Sequence, residues 1–116
     1  SIIRGTGNGN INLAGNFDTT NSIETIDAGG NDIVGDGYNN TLDFSNTTLN
    51  NVNAIHGGSG NDRITGSTGS DHIFGDDGSD TFIFGEGNGN DTFHGGQGWT
   101  DTIHLNANNS SDPNNP

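Results

Sequence analysis

From Gly57 onward the chain keeps a nine-residue beat, and this beat limits the possible folds more than any other feature. Gly57-Gly58-Ser59-Gly60-Asn61-Asp62-Arg63-Ile64-Thr65 is followed in register by the units starting at Gly66 and Gly75. Glycine recurs at the first and fourth places, aspartate at the sixth and a large apolar residue at the eighth. Asp62, Asp71 and Asp80 are therefore 9 residues apart, and the beat loosens to Asp91 (11 further on) and Asp101 (10 after that). The first six residues of a unit favour a turn, because Gly tolerates positive φ and Asn and Asp bond their own backbone. The next three, such as Arg63-Ile64-Thr65, suit a very short strand with one inward side chain. One unit buries almost nothing, so the units must stack.

Stacking predicts a thin apolar column between two short parallel sheets, with two units to a coil. Ile64, Phe82 and Ile103 line one side and Ile73 and Phe93 the other, with Phe84 and Leu105 also in the core. The same stacking brings Asp62 towards Asp80 in one row of loops and Asp71 towards Asp91 in the other. Like charges ~4 Å apart repel by roughly 4 kcal/mol at an effective dielectric of ~20. A divalent cation between them reverses that sign. Two Asp side chains plus loop carbonyls reach the six to eight oxygens that Ca²⁺ takes, whereas Mg²⁺ demands a tight octahedron and keeps its waters.

Composition narrows the reading further. Only 25% of the residues are hydrophobic and the formal net charge is −13, a balance that ordinarily means disorder unless stability comes from elsewhere. There is no Cys, so disulfides do not supply it. With Arg4 and Arg63 as the only basic side chains besides His, the chain cannot meet a run of phosphates, which excludes nucleic acid as a partner. No apolar run is long enough for a membrane span, and no N-terminal segment reads as a signal peptide.

The units spell Gly-Gly-x-Gly-x-Asp-x-U-x, with U a large apolar residue, three times in register and twice more loosely over roughly 56–105. In this the chain resembles the haemolysin-type, or RTX, calcium-binding repeats of bacterial type I secreted proteins. The resemblance implies an all-β fold, a right-handed parallel β-roll (a β-solenoid) with Ca²⁺ ions between stacked Gly/Asp loops. It implies that sixth-place Asp side chains and loop carbonyls of every second unit hold each ion. Carried over, the pairs are Asp62 with Asp80, Asp71 with Asp91 and Asp80 with Asp101. The loop ligands are Gly58, Gly60, Ser67, Gly69, Asp76, Gly78, Gly87 and Gly89. That makes several ions, about three or more. The insertions before Asp91 and Asp101 disturb the loop register, and Asn40 stands where an Asp would in Gly35–Asn40. Asp36, Asp76, Asp77 and Glu86 stand at loop places whose carbonyls coordinate in the family, and their side chains either add negative potential or supply a terminal ligand.

Residues 1–55 match the beat less well and are expected to be degenerate coils or a cap of the same roll, as solenoid ends require. There Leu49, Val52 and Ile55, like Ile23 and Ile26, recur every third residue, which suits strand-bearing coils or short helical caps. Residues 106–116, rich in Asn, Ser and Pro, read as a linker or tail. His56, His72, His94 and His104 fall at varied places in the units and read as outward strand residues or loop neighbours. A zinc site needs converging ligands, and no spacing argues for one. Trp99 reads as closing the end of the roll rather than stacking on a sugar.

The expected function is a non-catalytic, monomeric calcium-binding module of a larger extracellular chain such as a toxin, hydrolase, epimerase or adhesin. Low Ca²⁺ inside the cell leaves it unfolded for the type I secretion apparatus, and external Ca²⁺ folds it. The alternative is a module that binds a glycan or another surface through its outward strands. An enzyme is not expected, because the repeat already explains the paired carboxylates and no Ser, His and Asp grouping stands out.

Overall fold

A computed structural model describes residues 2–4, 9–18, 23–67, 69–85, 91–96 and 100–106. Every regular element among them is a strand, as short runs of Ile, Thr, Val and Phe between Gly- and Asn-rich turns dictate. Strands β1 (Ile2–Arg4), β3 (Thr25–Asp27) and β6 (Thr48–Asn50) form a first sheet. Strands β2 (Ile11–Asn12), β4 (Ile33–Val34), β7 (Ile55–His56), β9 (His72–Phe74) and β11 (Thr92–His94) form a second. Strands β5 (Thr41–Asp43), β8 (Arg63–Thr65), β10 (Thr81–Gly85) and β12 (Thr102–Asn106) form a third. Every pairing is parallel, so the chain winds into a β-solenoid, the parallel roll expected from the repeats.

The register places like residues on like. Ile64 pairs with Phe82 and Phe82 with Ile103, while Ile73 pairs with Phe93. In the repeats the chain alternates between the second and third sheets, two strands to a turn. Earlier turns have three sides, because the first sheet is added to the two expected of the repeats. The cause is length. Residues 44–54, between β5 and β7, have room for β6, whereas 66–71 and 75–80 make a turn and nothing more. Hence Ile33 and Ile55 are paired 22 residues apart, but Ile55 and Ile73 only 18. The three-residue spacing of Leu49, Val52 and Ile55 marks a corner between β6 and β7 rather than a helix.

The core is a ladder of Ile26, Ile33, Leu42, Phe44, Ile55, Ile64, Ile73 and Phe82, closed on one side by Phe17. Phe82 and Phe93 stack across the column with ring centroids 5.2 Å apart. Ile103 is 58% exposed and not core, because β12 is the outermost described strand of its sheet and nothing described lies beyond it. The side chains of Phe84 and Leu105, and the expected tail beyond Asn106, lie outside the described residues.

Candidate metal centres in the stacked loops

Loops 35–40, 57–62 and 75–80 each lead from the second sheet to the third, and they stack one above the other. The backbone N–H of Asn40 donates to Asp62 Oδ1 at 2.8 Å, and that of Asp62 to Asp80 Oδ1 at 2.8 Å. The Asp80 N–H continues the ladder to Asp101 Oδ1 at 2.9 Å. A second ladder runs beside it, from the Asn61 N–H to Asn39 Oδ1 (2.7 Å) and from the Ser79 N–H to Asn61 Oδ1 (2.8 Å). These bonds use one carboxylate oxygen. The other oxygens, Asp62 Oδ2 and Asp80 Oδ2, are buried with no hydrogen-bond partner. Asp62 and Asp80 as whole residues are only 2% and 1% exposed.

The first glycine of each unit keeps a space open in front of that oxygen. A Cβ on Gly57 would lie 2.6 Å from Asp62 Oδ2 and 3.0 Å from the Gly75 carbonyl oxygen. A Cβ on Gly35 would lie 2.7 Å from Asn40 Oδ1 and 2.5 Å from the Gly57 carbonyl, and one on Gly75 would press on Asp80 Oδ2. Gly58 and Gly60 adopt φ of 89° and 100°, which an L side chain rarely takes, and sit close against the carbonyls of Asp36 and Tyr38. Gly78 packs in the same way on the Gly60 carbonyl. The cradle at Gly57 is thus bordered by both carboxylate and carbonyl oxygens.

Such a site strongly disfavours bare negative charge. Burial pushes the Asp62 carboxyl up to about 7, with the Asp80, Asp36 and Asp76 charges adding to it against the Asn40 N–H. Burial likewise pushes Asp80 up to about 6, helped by the Asp101 and Asp76 charges. A hard cation suits these atoms, since acceptor-only oxygens without donors are the ligand set of Ca²⁺. Among the described residues no three His, Cys, Asp or Glu side chains converge, so carbonyl oxygens must complete any shell.

In the other row the structure brings Asp71 and Asp91 together, the Asp71 N–H donating to Asp91 Oδ1 at 2.8 Å. Here Ser67 turns inward. Its N–H and hydroxyl donate to the two oxygens of Asp71 at 2.7 and 2.8 Å, and the Gly69 N–H reaches Ser67 Oγ at 3.3 Å. Burial raises the Asp71 carboxyl against these bonds. Gly87, Gly89 and Glu86, named from the repeat, lie outside the described residues. Asp76 takes a second-place position at φ 68°, with its carbonyl against Gly96 and its carboxylate 3.1 Å from His56 Nδ1.

Sequence reasoning left the part played by Asn40 open. Its Nδ2 donates to Asp36 Oδ1 of the same loop at 2.8 Å and to the Gly15 carbonyl of the preceding turn at 3.3 Å, so towards the N-terminus an amide meets these acceptors. Asp36 also accepts the N–H groups of Tyr38 and Gly15, and these bonds hold its carboxyl below the usual range. The Asn at the sixth place was the only signal. Of the aromatics that a sugar-binding surface needs, Tyr38 is exposed and Trp99 lies outside the described residues.

The family model of the RTX calcium-binding nonapeptide repeat, which spans four copies, matches residues 56–89 and 87–98. Comparison with curated proteins and with solved structures found no match. The matched residues hold the in-register glycines and the aspartates whose buried oxygens lack donors. Residues 56–98 of this chain therefore match the RTX calcium-binding nonapeptide repeat, and the strands described within them wind as a parallel β-roll.

Proposed function

We propose that the chain is a non-catalytic module that folds on binding Ca²⁺ outside the cell and so serves the secretion and stability of a larger protein. The observation that carries this is the pair of buried oxygens, Asp62 Oδ2 and Asp80 Oδ2, with no donor to meet them. Ca²⁺ would supply the positive charge and the adaptable oxygen shell that this stack lacks. Asp62, Asp80 and Asp101 hold the carboxylates in one row, Asp71 and Asp91 those in the other. By their places in the repeat, the carbonyls of Gly58, Gly60, Gly78 and Asp76 are the candidate ligands for the first row, and those of Ser67 and Gly69 for the second. With 25% hydrophobic residues and a charge of −13, the cation-free chain lacks the means to stay compact. Extracellular Ca²⁺ modules bind at about 10⁻⁴–10⁻³ M, above cytosolic levels, which supports folding after export.

Far-UV circular dichroism during a Ca²⁺ titration of the chelated chain tests this. We expect a cooperative gain of strand signal with Ca²⁺ and none with Mg²⁺. Asp80→Asn, placed between Asp62 and Asp101, should shift the midpoint upward by about tenfold or more. A cation-free chain already fully folded at neutral pH would sink the proposal.

A further inference from the structure

We propose that His72 and His94 form a surface site for a tetragonal first-row divalent ion such as Cu²⁺, held by their two Nε2 atoms with water completing the shell. The parallel register of β9 and β11 sets His72 opposite Thr92 and Phe74 opposite His94. The imidazoles therefore meet on the diagonal, with their Nε2 atoms 3.0 Å apart. Phe74 fixes both rings, its centroid 4.8 Å from that of His72 and 4.6 Å from that of His94. His56 stacks on the Phe74 ring at 4.8 Å, nearly parallel to it. The pair is thus braced by packing, while both histidines stay exposed to a hydrated ion.

Geometry selects the class of ion. With metal–nitrogen bonds of about 2.0–2.1 Å, two nitrogens this far apart subtend about 95° at the metal. That is close to the cis angle of square-planar and octahedral shells, which Cu²⁺ and Ni²⁺ favour. A tetrahedral Zn²⁺ would want the nitrogens about 3.3 Å apart. Ca²⁺ takes oxygen ligands, so the pair does not duplicate the loops. With the ring hydrogens on Nδ1, both Nε2 lone pairs face the ion. Among the described residues no third His, Asp or Glu converges on the pair, so water fills the other positions and the ion exchanges readily. The net charge of −13 raises the local cation concentration.

The test is a Cu²⁺ titration of the full chain in excess Ca²⁺, which keeps the loop carboxylates occupied, followed by calorimetry and electron paramagnetic resonance. We expect one Cu²⁺ per chain whose spectrum shows coupling to two nitrogens. His72→Asn and His94→Asn should each bind about tenfold more weakly or worse, at least what loss of a supporting group costs a metal site. A wild-type spectrum with oxygen ligands alone, or unchanged affinity in both variants, overturns the proposal. The wild-type spectrum decides even if a variant fails to fold.

Discussion

At Asp62 one carboxylate oxygen accepts the Asn40 N–H while the other has no donor, and burial lifts the group to about 7. An unfolded Asp titrates near 3.9, so between these values the cation-free fold binds more protons than the unfolded chain. Its stability must then fall as pH rises through that window. Asp80, lifted to about 6, acts in the same direction, while hydrogen bonds hold Asp36 below the usual carboxylate range. Chelated protein moved from pH 7.5 to pH 5 should therefore gain strand signal in circular dichroism. In Ca²⁺ the trend reverses, because protons compete for the same oxygens, and the midpoint should rise as pH falls below 7. The glycine at place one is equally demanding. Gly57→Ala puts a methyl 2.6 Å from Asp62 Oδ2. Overpacking costs about 1–3 kcal/mol, so the Ca²⁺ midpoint in a calorimetric titration should rise by about a decade. An unshifted midpoint would mean that this oxygen is not a ligand.

At the scale of loops and strands, the row ends where Asn40 replaces Asp. The loop at 35–40 is closed towards Gly15 by hydrogen bonds, while its Oδ1 joins the acceptors facing the next loop. The insertions before Asp91 and Asp101 leave the strands undisturbed. Thr92 still pairs with His72 and Thr102 with Thr81. At the other corner, beyond β5, Phe44 is fully buried and stacks on Phe17 with centroids 5.1 Å apart. It plugs the bend from which the chain leaves for the first sheet. Phe44→Ala should cost about 3–5 kcal/mol in chemical denaturation, with saturating Ca²⁺ present. A loss near zero would show that the three-sided turns contribute little to the folded state.

Across the whole molecule, the two ends are held by different means. The three-sided turns carry most of the buried apolar side chains, including Phe17, Ile26, Ile33, Leu42 and Phe44, whereas the repeats rely on loops rich in unmatched oxygens. A solenoid gains stability turn by turn from neighbouring interfaces. As Ca²⁺ is withdrawn, hydrogen exchange should therefore lose protection first in β8–β11 and last in β3–β6. Simultaneous loss everywhere would show one cooperative unit instead. The sequence by itself determined the alternation of Ile64 with Phe82 and Ile73 with Phe93, and the meeting of Asp62 with Asp80. A fixed nine-residue period brings the same residue type to the same point of every coil, whatever surrounds it. Only the tertiary structure decided the first sheet, the direction of the Asn40 amide, the inward turn of Ser67 and the contact of His72 with His94. Those depend on where the chain bends and on diagonal neighbours across strands, and no linear spacing encodes either.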